Sequence, residues 1–209
     1  MRILISGFEP FNGRKINRSW ETARTFIGIE GIDVVCLPVS FSRAHQILIN
    51  KLQSRHYDLI IMLGETSTTR DAIRLERVAL NLKDSAIKDN DGCMPDEEKI
   101  HATAPPALFT DFPIKSTIKK LQNHGVKARI SNSAGTFVCN NLYFQILYHL
   151  SLQNSSTTAL FVHLPSSTEA ISFSRMQAIV TQLISRSRVP ASLYHTPPVL
   201  RIDYSDDSE

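Results

Sequence analysis

Short apolar runs alternate along this chain with segments whose apolar residues recur every three or four positions. Residues 2–6 (RILIS), 33–39 (DVVCLPV) and 58–63 (DLIIML) are rich in Val, Ile and Leu. They are compact enough for parallel strands buried on both faces. Between them, residues 18–27 and 42–52 carry helical spacing. Residues 72–81 (AIRLERVALN) set Ile73, Leu75 and Arg77 against Ala72, Arg74 and Glu76, which predicts one extended segment with a charged face. Residues 83–112 are polar and hold Pro95, Pro105 and Pro106. They read as long functional loops rather than a linker. A helix is predicted over 114–123, with Gly125 as its stop. A strand over 128–131, a helix around Cys139, a strand over 158–163 and a helix over about 172–186 complete the pattern. Residues 188–209 are polar and proline-bearing and read as a loosely attached tail. This β–α alternation predicts the α/β class: a three-layer α/β/α sandwich around a mostly parallel twisted sheet, in one domain over residues 1–209.

Composition narrows the setting. The net charge is +3, with 23 Lys and Arg interleaved among 20 Asp and Glu. No basic block stands out, so a nucleic-acid surface gains little support. Cys36, Cys93 and Cys139 are odd in number and far apart, which argues against a disulfide framework and for a reducing, cytoplasmic setting. The N-terminal run MRILISGFEP is too short for a signal peptide, and no stretch is long enough to span a membrane.

The stretch SNSAGTFVCNNLYFQILYHL (131–150) raises the chemical question. Thr136 reads as a helix N-cap with Gly135 turning the chain before it, and Cys139 would be the third helical residue. The first turn of a helix has free N–H groups and a partial positive charge, which stabilise a thiolate and could hold an oxyanion. From this segment alone, a small buried cysteine at a helix start is the readier reading. A nucleophile needs a base. His45, His56, His101, His124 and His195 lie in polar contexts and read as solvated, and His149 points away from the thiol along its own helix. His163 ends an apolar strand, at the edge where open sheets gather functional groups. A hydrogen-bonded strand-end histidine with no further role remains its alternative. Glu76, inside an otherwise apolar segment, could orient the imidazole or simply pair with Arg74 or Arg77. Asp89 is a second candidate for that task.

Four segments together resemble the pyrrolidone-carboxylate peptidases, also called pyroglutamyl peptidase type I, a family of cysteine peptidases. GFEPFNGRKIN (7–17), LERVALN (75–81), SNSAGTFVCN (131–140) and FVHLP (161–165) are similar to the family's motifs, in the same order. The resemblance runs from residue 1 to about 187. It implies Cys139 as nucleophile, His163 as general base and acid, and Glu76 as the residue that orients the ring. It implies a slot for the pyroglutamyl ring lined by Phe8, Phe11, Ile87, Phe137, Val138 and Leu142. It also implies removal of N-terminal pyroglutamate from peptides without cofactor or metal, and a homotetramer.

Some positions depart from the family. Ala86 stands where the family usually has arginine, which implies slower hydrolysis. The turn GETSTTR (64–70) is one residue longer than usual, and SSTEA (166–170) replaces the usual run after His163. These changes leave open a catalytically weak or repurposed relative that binds a pyrrolidone-like ligand or a protein partner. Other patterns fail on physical grounds. The first loop lacks the GK[ST] of a phosphate-binding loop, residues 87–98 put Ile87 where a calcium loop needs its first ligand, and no HExxH or CxxC supports zinc.

Overall fold

A computed structural model of the chain describes residues 1–66, 72–166 and 173–186. In chain order the elements are β1 (Ile3–Phe8), α1 (Arg18–Ala23) with a 3-10 turn at Arg24–Phe26, β2 (Ile32–Leu37), α2 (Ala44–Ser54), β3 (Leu59–Thr66), β4 (Ile73–Glu76), β5 (Val78–Leu80) and β6 (Ala107–Phe109). Then follow α3 (Ile114–Asn123), β7 (Ala128–Ser131), α4 (Val138–Leu152), β8 (Thr158–Pro165) and α5 (Phe173–Arg186). Among the described residues the main sheet has the order β2-β1-β3-β8-β4-β7, and β5 and β6 form a separate antiparallel pair.

The unbroken apolar runs have a simple cause, because the central strands are buried on both faces. On one face Ile61 and Leu63 of β3, Leu75 of β4 and Val162 of β8 pack with Ala23, Ile118, Leu121, Val180 and Leu183 of α1, α3 and α5. On the other face Ile60, Met62, Ala159 and Phe161 pack with Ala44 and Leu48 of α2 and with Leu142 and Ile146 of α4. Period-two alternation therefore feeds two apolar cores, and the result is a three-layer α/β fold.

The sheet is mostly parallel, as expected, although β4 pairs antiparallel with β8 and β7 follows β4 in that reversed direction. Three other expectations change. The segment 72–81 is not one strand, because it breaks at Arg77. The Arg77 N–H donates to Ser131 O beside the main sheet, whereas its carbonyl accepts from Thr110 N beside β6. One residue thus satisfies its two backbone groups in two different sheets. The polar stretch 83–112 contains β6 and an isolated bridge between Lys83 and Glu98, rather than loops alone. The first helix is also shorter than predicted. It gives way to the 3-10 turn, and Ile27 is extended and exposed. The predicted tail (188–209), residues 67–70 of the long turn, residues 167–170 after Ser166, and His195 lie outside the described residues.

Candidate active site

The site is built on sheet register. Glu76 lies directly opposite Phe161 across the β4–β8 pair, and Arg74 lies opposite His163. Directly opposed side chains and those two positions along a strand share a face, so Glu76 and His163 are diagonal neighbours. A long side chain spans that diagonal: His163 Nδ1 and Glu76 Oε1 are 2.8 Å apart. Glu76 thus pairs with the imidazole, the first of the two roles its sequence left open. Both groups are buried, Glu76 completely and His163 at 7% exposure. Tyr143 on α4 adds a hydroxyl bond of 3.0 Å to the Glu76 carbonyl, which ties that strand end to the helix above it.

On the other side of His163, β3 presents Gly64 as the register partner. A Cβ at Gly64 would lie 2.7 Å from Phe161 Cε1 and 3.1 Å from Cys139 Sγ. The missing side chain leaves the space the thiol occupies. Nothing in the sequence pattern separates this glycine from one that merely ends a strand.

The helix start that carries Cys139 is fixed by contacts from elsewhere in the chain. Thr136 is not the N-cap. That position falls to Phe137, which makes no side-chain cap bond, so Cys139 is the second helical residue of α4. The Thr136 hydroxyl donates instead to Asp84 O at 2.9 Å, and Asp84 N donates back to Thr136 O. Gly135 turns the chain at φ +82°, a region that favours glycine. Asn140, fully buried, accepts from Leu80 N and donates to the carbonyls of Leu80 and Leu82. Asn141 donates to Phe41 O at 2.8 Å. Two asparagines thus clamp the first turn of α4 to β5 and to the residue 41 loop, and the first N–H groups of the helix have no intrahelical partner.

Electrostatics follow from this packing. Burial disfavours a charged His163 ring, but hydrogen bonds with Cys139 and Glu76 and the attraction of both groups outweigh it. The ring's pKa is pushed up from 6.5 to about 9.

Cys139 opens onto a cavity of about 330 Å³. Phe8, Phe11, Ile87, Phe137 and Val138 line it together with the thiol. The Phe11 and Phe137 rings lie 5.2 Å apart, and Phe41 meets Phe137 edge-on at the same distance. Leu142 is different. It is fully buried in the core between α4 and the sheet and is not part of the cavity lining. Ala86 is exposed and also off the lining, as is Lys88. The guanidinium on the wall is that of Arg14. Asp89, the second candidate for orienting the ring, instead accepts from the N–H groups of Phe41, Asp91 and Cys93 and shapes its own loop. His45 and His101 are half-buried rather than solvated, and His101 bonds to Gln145 and packs on Tyr148.

Comparison with known proteins agrees with the four motifs. Residues 1–188 match the family model described as pyroglutamyl peptidase. A pyrrolidone-carboxylate peptidase of Thermococcus kodakarensis is 39% identical over 172 residues, covering 81% of this chain and 83% of the relative. One from Staphylococcus aureus is 40% identical over 172 residues, covering 79% of each. Among solved structures, a mutant pyrrolidone carboxyl peptidase from Pyrococcus furiosus superposes with a TM-score of 0.83 at 33% identity, over 90% of this chain and 98% of that one. The pyroglutamyl peptidase I of Bacillus amyloliquefaciens gives 0.82 at 29% identity, over 87% and 94%.

Proposed function

Because this chain belongs to the pyroglutamyl peptidase family, we propose that it removes the N-terminal pyroglutamyl residue of peptides, with Cys139, His163 and Glu76 carrying the reaction through an acyl-enzyme. The observation that supports these roles is the His163 ring, bonded to Glu76 and favoured in its charged form by both Cys139 and Glu76, with Cys139 on the wall of a small, mostly apolar cavity. The pyroglutamyl ring enters among Phe8, Phe11 and Phe137, and its exocyclic carbonyl comes to Cys139. The thiolate forms a bond to that carbonyl carbon, and the oxygen becomes an oxyanion facing the first-turn N–H groups of α4. Collapse breaks the C–N bond, and His163 Nε2 gives its proton to the leaving amine. His163 then takes a proton from water as it attacks the thioester, which frees pyroglutamate and returns the proton to the Cys139–His163 pair. Glu76 keeps Nδ1 as the donor, so that Nε2 faces the chemistry. The same reading has the chain act as a homotetramer, which light scattering on the purified protein tests.

Hydrolysis of a chromogenic pyroglutamyl amide, compared with prolyl and glutamyl amides, tests the substrate. An N-terminal glutamate brings a charged amine and a free carboxylate into a mostly apolar cavity whose guanidinium is already paired with Glu65, and desolvating them costs several kcal/mol. The pyroglutamyl amide should therefore lead the glutamyl one by at least about a hundredfold in kcat/KM. Comparable values for the two would reject the assignment.

A further inference from the structure

The cavity wall carries a charged pair that an apolar ring slot does not require. Glu65, near the end of β3, lines the cavity with Cys139, and its side chain is only 6% exposed. Its Oε1 takes Arg14 Nη1, and its Oε2 accepts from Arg18 N at 2.9 Å, at the start of α1. Arg14 belongs to the same turn as Phe11, since its N–H donates to Phe11 O. Among the described residues the other polar side chains on the wall are Asn12, Asn17 and Cys139. Asn17 is engaged as the cap of α1: its Nδ2 donates to Glu9 O, and its Oδ1 accepts from Ser19 N and Ser19 Oγ.

Neither member of the charged pair is saturated. A carboxylate offers about four lone-pair positions and a guanidinium five N–H donors. One wall of the cavity therefore carries a buried carboxylate and a half-exposed guanidinium side by side. A lactam is a cis-amide, which shows its N–H and its carbonyl on one edge, so it matches that pair. We propose that Arg14 and Glu65 are the specificity-determining pair for the lactam edge, with Glu65 accepting the ring N–H and Arg14 donating to the ring carbonyl. The proposal rests on the pyroglutamyl reading and deepens it. A shape-only slot discriminates ring analogues by roughly 10–200-fold, whereas a site with buried hydrogen-bonding groups rejects an analogue lacking its partner far more strongly. A prolyl ring lacks the carbonyl, so it loses the Arg14 contact, and its charged nitrogen must also be desolvated in the cavity.

The test uses the full chain in two assays. In the first, kcat and KM for a pyroglutamyl amide are measured for wild type, Arg14→Met and Arg14→Lys. Arg14→Met should raise KM about tenfold or more while kcat changes less. Arg14→Lys, which keeps a charge against Glu65 and so guards the fold, should recover part of the loss. In the second, which needs no turnover, 2-pyrrolidone, N-methyl-2-pyrrolidone or cyclopentanone competes with alkylation of Cys139. Only the first, which has both N–H and carbonyl, should protect the wild-type thiol strongly, and Arg14→Met should lose most of that protection. Wild-type turnover with KM for Arg14→Met within twofold, or equal protection by all three rings, overturns the pair. Absence of wild-type turnover overturns the peptidase reading instead, and the protection assay still decides the pair.

Discussion

Replacing Glu76 by glutamine changes one charge and almost no volume, at a site with no exposure to solvent. The carboxylate holds His163 Nδ1 at 2.8 Å. Raising the ring from 6.5 to about 9 corresponds to roughly 3 kcal/mol in favour of its charged form. Hydrogen bonds with Cys139 and Glu76 and the attraction of both groups produce that rise against burial, so the carboxylate carries part of it. Losing that part weakens the charged ring. Glutamine adds a second fault, because its amide nitrogen can face Nδ1 and turn the ring into the wrong tautomer. The equivalent swap in a Ser-His-Asp triad lowers kcat about 10⁴-fold. We therefore expect Glu76→Gln to lower kcat/KM by between about 10² and 10⁴. Burial should then pull the ring's pKa down. The assay is the pH dependence of kcat/KM beside an NMR titration of the His163 imidazole. A ring that titrates as in wild type, with kcat/KM within threefold, would refute the reasoning.

Gly64→Ala places a methyl 2.7 Å from the Phe161 ring and 3.1 Å from the sulfur, so kcat should fall at least tenfold and overpacking should cost about 1–3 kcal/mol of stability; a fully active Gly64→Ala enzyme would show that the thiol needs no such gap. Leu142→Ala should cost about 2–5 kcal/mol in urea unfolding and leave KM within about twofold, since Leu142 is core and not cavity wall. A raised KM without lost stability would return Leu142 to the substrate slot. The raised His163 pKa also links to stability: its contribution is complete below the unfolded value of 6.5 and is lost as pH rises through about 9. The wild-type advantage over His163→Gln in unfolding free energy should shrink across that window, and a constant difference would remove the coupling.

Much of the fold was legible because central strands buried on two faces leave runs that few other structures need. β1, β3 and β8 all come from such runs. The break at Arg77 was not legible, because it depends on where Ser131 and Thr110 offer backbone partners, and neither is near in sequence. Cys139, His163 and Glu76 could be named from short strings, yet the diagonal that joins Glu76 to His163 exists only in the antiparallel β4–β8 register. Local cap rules pointed to Thr136, whereas the hydroxyl is taken by Asp84, fifty-two positions away. Gly64, Asn140, Arg14 and Glu65 were missed for the same reason. Each acts through a contact between distant segments, and a composition of glycine, asparagine or paired charges gives no local signal of it.

The central claim is that the thiol of Cys139 carries the pyroglutamyl group during turnover. Rapid quench of the enzyme with a pyroglutamyl ester, followed by proteolysis and mass spectrometry, tests this most directly. One pyroglutamyl group should be found on the peptide that contains Cys139, absent from Cys36 and Cys93 and absent in Cys139→Ser. Full turnover by Cys139→Ala, or an acyl group on any other residue, would contradict the account.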